Sequence, residues 1–128
     1  MCIRDRINAD QYLPTDKLGI PIDELASVAE TSFDFRAEKL ISEAFLADEQ
    51  QLLAKGYDHS FYLKQNRSDS EYAAKLTTAD RSLCMKVYTD KPAIQLYTGN
   101  YLAGEKNRQG GVYKDLSLIH ISEPTRPY

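Results

Sequence analysis

Hydrophobic positions change their period partway along the chain. From Ser60 onward they recur at every second residue in "SFYLKQ", "EYAAKLTT", "SLCMKVYT" and "AIQLYTGN", the spacing that lines one face of a strand. The links "NRSDS", "ADR" and "DKP" are each rich in turn formers. The pattern predicts four strands, and links this short predict antiparallel neighbours in a meander. In the third run Leu83, Met85 and Val87 share one face, and Cys84, Lys86 and Tyr88 the other. A small thiol in such a strand is expected to be buried.

Ahead of Ser60 the pattern is less regular. Ile7 to Asp23 carries Pro14, Gly19 and Pro21 too close together for a helix, which predicts a strand end running into a loop. "TSFDFR" (Thr31 to Arg36) alternates, placing Phe33 and Phe35 on one face of a short extended piece. Glu38 to Lys55 is the one helix-like stretch, with Gly56 as its stop. Its Asp-Glu-Gln-Gln centre interrupts the apolar stripe, so one or two short helices in a long connection are expected rather than a single rod. The fold class that follows is all-β: an antiparallel meander plus a long loop with a short helix.

Composition narrows the function classes. The chain has 128 residues, 42% of them hydrophobic, which suits one soluble domain or a piece of a larger one. A formal net charge of -3, with Lys and Arg scattered singly, argues against a nucleic-acid partner. No apolar run is long enough to cross a bilayer, and the first residues hold no apolar core of a secretory signal, so a cytoplasmic setting is expected. Cys2 and Cys84 match no metal-ligand spacing, and two histidines without clustered ligands predict no metal. Nor does the sequence hold a phosphate-cradling glycine loop or an evident nucleophile–base pair.

The two ends read as foreign. "MCIRDR" (Met1 to Arg6) and "LSLIHISEPTRPY" (Leu116 to Tyr128) resemble translations of the transposon-end adapters used in sequencing libraries, in opposite orientations. By pattern alone Leu116 to Ile121 would be an apolar strand. The expected division is 1–6 and 116–128 as adapter-derived segments and 7–115 as the native domain, which removes His120 and Glu123 from any mechanism.

Within 7–115 two polar residues suit a ligand with many hydroxyl groups. Asp58 in "KGYDHSFYL" accepts through two oxygens, and Gln95 in "AIQLYTGN" both donates and accepts. A sugar needs that mixture, although buried polar groups more often serve the fold. Gly56 and Asp58 could equally form an ordinary corner. His59 adjoins Asp58 on an extended chain, so their side chains are expected on opposite faces. Tyr57, Phe61 and Tyr97 could stack on a sugar or fill a core.

"ADQYLPTDKLGIPIDELASVAETSFDFR", "KGYDHSF" and "KVYTDKPAIQLYTGNYL", in that order from Ile7 to Leu102, resemble the C-terminal half of the galactose mutarotases, the aldose 1-epimerase family. The resemblance implies a partial β-supersandwich and cofactor-free interconversion of the α and β anomers of galactose or glucose. Asp58 resembles the family's sugar-hydroxyl carboxylate, and Gln95 its pocket glutamine. The implied chemistry is acid–base ring opening, with a glutamate taking the anomeric proton and a histidine protonating the ring oxygen. That histidine lies in an "NHxYFNL"-like segment and the glutamate beyond Asp115; neither is found here, and Glu105 and Glu123 do not replace them. A fragment without catalytic residues is therefore expected, its partner an aldose, its oligomeric state unspecified, its unpaired edges prone to association. A non-catalytic carbohydrate-binding β module and a hexose-6-phosphate 1-epimerase relative remain the alternatives; the latter lacks a basic cluster for the phosphate.

Overall fold

The computed structural model describes residues 3–22, 24–102, 104–106 and 108–111. Eight strands run β1 (Ile3–Ile7), β2 (Ala9–Leu13), β3 (Ala26–Ser27), β4 (Lys39–Leu40), β5 (Asp58–Leu63), β6 (Ala74–Thr78), β7 (Cys84–Val87) and β8 (Ala93–Tyr97). They form two four-stranded sheets, ordered β4-β1-β6-β7 and β3-β2-β5-β8, and every pairing is antiparallel. The long connection holds a 3-10 turn (Ile41–Ala44) and one short helix, α1 (Glu49–Ala54). The all-β class and the broken helical stretch match the hydrophobic pattern.

Neighbour order departs from a meander. Of the four strands after Gly56, only β6 and β7 pair in sequence, while β5 pairs with β8 across them. The links 64–73 and 88–92 carry the chain from one sheet to the other and back. Sheets packed about 10 Å apart are within reach of links of that length. Apolar alternation marks the two faces of each strand, but not which strand lies beside it.

Both sheets contribute to one core. Ile7 and Ala74 come from the first sheet, and Ala9, Tyr12, Phe61 and Leu63 from the second, with Val28, Phe33, Phe35 and Tyr57 between them. Phe33 is its hub: it stacks on Tyr12 with ring centroids 4.2 Å apart and meets Tyr57 edge-on at 5.5 Å. "TSFDFR" is not extended, a correction to the alternation. It is a bent segment in which Phe35 N–H bonds to Phe33 O at 3.0 Å, yet both rings are buried. Cys84 is a second correction, because it is a free and exposed cysteine. It lies on β7, one of the two outer strands of its sheet, where Met85 and the preceding Leu83 are also exposed. Leu116 to Ile121, a strand by pattern, lies outside the described residues.

Residues 3–6 take part in β1, at the centre of the first sheet, in register with β6 from Ile3↔Thr78 to Ile7↔Ala74. On that strand Asp5 shares the inward face with Ile7 and is only 1% exposed. One carboxylate oxygen, Oδ1, has no partner. The opposing Lys39 does not serve it: its ammonium donates to Ser32 O at 2.7 Å and lies over the Phe35 ring. Burial pushes the Asp5 carboxyl up to about 7. The protonated acid fits the folded state and the carboxylate does not. The ionisation penalty of Asp5 is therefore absent below about pH 4 and grows toward pH 7, reaching on the order of 4 kcal/mol. Asp5→Leu should raise stability at pH 7 by markedly more than at pH 4, measured by urea denaturation at both values. An equal effect at the two would show that ionisation of Asp5 is not the cause.

Candidate active-site face

A glycine sets the entry to β5. Helix α1 is capped at its start by Asp48, whose side chain accepts from Gln51 N–H, and ends with Lys55 in the left-handed region (φ 60°). Gly56 follows at φ 141°. A Cβ there would lie 2.4 Å from Asn100 Oδ1 and 2.8 Å from Thr98 Oγ1, so both backbone angle and space demand glycine. Thr98 and Asn100 are buried because they bind this corner. Thr98 N–H donates to Tyr57 O at 3.1 Å, and Tyr57 N–H donates to Thr98 Oγ1 at 3.1 Å. Asn100 Nδ2 donates to Ala54 O at 3.0 Å and to Tyr57 O at 2.9 Å. The segment after β8 is thereby locked to the segment before β5.

That lock brings the two predicted residues together. Along β5 the burial alternates: His59, Phe61 and Leu63 are buried, while Asp58, Ser60 and Tyr62 face outward. On β8 Ala93, Gln95 and Tyr97 face outward, with Gln95 opposite Ser60 and Tyr97 opposite Asp58. Gln95 Nε2 donates to Asp58 Oδ1 at 2.9 Å, and Ser60 Oγ donates to Gln95 Oε1 at 2.8 Å. Three polar side chains thus form one chain of hydrogen bonds on an open sheet face. Gln95 is exposed, on the face opposite to its half-buried neighbours Ile94 and Leu96. A cleft of about 390 Å³ opens farther along the same face, bounded by Asn8, Gln11, Tyr62, Lys64 and Arg67, but it includes neither Asp58 nor Gln95.

His59 takes no part in this face. It is 0% exposed, stands edge-on to Phe33 at 4.7 Å, and its Nδ1 accepts from Asp58 N–H at 3.1 Å. Nε2 then carries the proton toward Gln50 Oε1, 3.3 Å away. Gln50 in turn bonds both backbone groups of Thr15, so His59 ties β5 to the helix and to the end of β2. Burial pushes its pKa down, against the pull of Asp58 and Asp48, and holds the ring neutral. Tyr57 and Phe61 are core residues, whereas Tyr97 is exposed beside Asp58. Glu105 is exposed, and His120 and Glu123 lie outside the described residues.

Sequence reasoning missed Thr98, Asn100 and Ser60. "TGN" after a strand reads as turn chemistry, and only the positive φ of Gly56 explains why a threonine and an asparagine are buried there. Ser60 had a legible signal in its spacing, two residues from Asp58 and so on the same face.

Gly56→Ala should destabilise the protein by more than about 1 kcal/mol, through strain and clash together. Asn100→Ala should cost about 1–3 kcal/mol by removing the amide donor to Ala54 O and one of the donors to Tyr57 O. Urea denaturation checks both, and losses below about 0.5 kcal/mol would remove the lock from the account.

The sequence profile described as aldose 1-epimerase matches residues 5–122. The aldose 1-epimerase of Escherichia coli (strain K12) is 50% identical over 122 residues, which are 95% of this chain and 35% of that protein. Human galactose mutarotase is 37% identical over 108 residues, 84% of this chain and 30% of that protein. Among solved structures, galactose 1-epimerase from Lactobacillus acidophilus NCFM superposes with a TM-score of 0.69 at 39% identity, covering 78% of this chain and 29% of that one. An aldose epimerase homologue from C. elegans reaches 0.74 at 23% identity, covering 89% and 33%, and so shares the fold. The chain spans about a third of the length of the curated relatives it matches. With two antiparallel sheets in that fold and a profile match over most of its length, the chain belongs to the aldose 1-epimerase family.

Proposed function

We propose that this chain is the sugar-gripping part of an aldose 1-epimerase acting on galactose or glucose. The hydrogen bond of 2.9 Å between Gln95 and Asp58 on the open face carries the reading. The carboxylate accepts from sugar hydroxyls, and the amide can both donate and accept, so neighbouring hydroxyls find complementary groups. Tyr97 lies beside Asp58 and offers an apolar ring edge.

Ring opening needs one group to take the anomeric proton and another to protonate the ring oxygen. His59 cannot act on this face: it is buried on the other side of β5 with both ring nitrogens engaged. We infer that the proton-moving histidine and glutamate belong to parts of the parent enzyme outside these 128 residues, and that this chain alone does not epimerise. We also propose that 7–115 is native sequence and that 1–6 and 116–128 are adapter-derived; the profile match, from 5 to 122, runs across both of these boundaries. An exposed, unpaired thiol at Cys84 fits a reducing compartment such as the cytoplasm.

Calorimetric titration of the full chain with D-galactose should give saturable binding, weakened about tenfold or more by Asp58→Ala, since hydrogen bonds to charged groups contribute about 1.5–3 kcal/mol. Polarimetry of fresh α-D-glucose at neutral pH should show no mutarotation faster than buffer. Binding indifferent to Asp58, or accelerated mutarotation, would contradict the proposal.

A further inference from the structure

Asp58 and Gln95 do not stand alone on the outward face. Ser60 ends the hydrogen-bond chain on the far side of the Gln95 amide from Asp58, directly opposite Gln95 on the neighbouring strand. Its other cross-strand neighbour is Leu13 of β2, whose side chain offers no hydrogen bond. The Ser60 hydroxyl is therefore free to commit its proton to Gln95 Oε1, at 2.8 Å.

We propose that Ser60 is a positioning residue which, together with Asp58, clamps the Gln95 amide in one orientation for sugar binding. This rests on the reading of Asp58 and Gln95 as sugar contacts. An ionised carboxylate only accepts, so the nitrogen end of the amide must face Asp58. Ser60 then holds the oxygen end from two residues along the same strand face. The clamp leaves one Nε2 proton and one Oε1 lone pair for a ligand, side by side, a pattern that matches two adjacent hydroxyls. A glutamine in a strand has three rotatable bonds, and this one is exposed. With Asp58 as sole anchor it would sample other rotamers and lose them on binding. Ser60 removes that loss in advance. It touches the amide and not the sugar, so its effect is on affinity through Gln95.

The test uses the full chain labelled with 15N, the Gln95 side-chain amide being identified by its disappearance in Gln95→Glu. Ser60→Ala should move the two Gln95 amide proton signals toward random-coil positions, whereas Ser60→Thr, which keeps the hydroxyl, should leave them in place. In D-galactose titrations Ser60→Ala should raise Kd about two- to tenfold with an unchanged thermal midpoint, and Ser60→Thr should restore the affinity. Gln95 signals indifferent to Ser60→Ala would overturn the clamp, as would an equal loss of affinity in the alanine and threonine variants. If the unaltered chain does not respond to D-galactose, the sugar reading fails, while the amide signals still decide whether Ser60 holds Gln95.

Discussion

Everything on the outward face depends on a buried polar lock between two segments far apart in sequence. Asn100 and Thr98 reach back to the backbone of Ala54 and Tyr57, and Gly56 alone leaves room for them. A buried carbonyl without a donor is costly, so the pairing cannot slip without leaving several such groups bare. Because side chains alternate along a strand, a slip of one residue between β5 and β8 would turn Gln95 away from Asp58 altogether. The lock thereby converts an energetic requirement of the interior into a geometric one at the surface.

The same strand divides two kinds of chemistry. Inward, His59 is neutral, hydrogen-bonded and surrounded by aromatic rings; outward, Asp58 and Ser60 meet a glutamine across the strand pair. Adjacent residues in "DHS" thus serve fold and face in alternation. The juxtaposition of an acid and an imidazole in sequence is not a dyad in space. Its meaning is that β5 begins where the chain passes from corner to sheet, with one group turned each way.

Much of this was legible from the residues. Alternation over Ser60 to Asn100 identified strands, and the acid and amide stood out as the chemistry a polyol requires. Neighbour order was not legible, because a link such as "DKP" can close a hairpin or cross between sheets, and only packing of the whole decides. The burial of Phe33 and Phe35 in a bent segment, the exposure of Cys84 on an outer strand, and the role of Thr98 and Asn100 all depend on contacts between distant segments. Asp5 shows the converse. Its place on the inward face follows from the register of β1, while its chemistry conflicts with that place.

The central claim is that Asp58 and Gln95 hold one hexose as a unit. A double-mutant cycle on D-galactose affinity, using Asp58→Asn, Gln95→Ala and the pair combined in the full chain, tests it most directly. The account predicts that the double variant loses markedly less affinity than the two single losses summed, because each residue binds through the geometry the other maintains. Strict additivity would contradict it, and would mean that the two side chains, though hydrogen-bonded, act on the sugar independently or not at all.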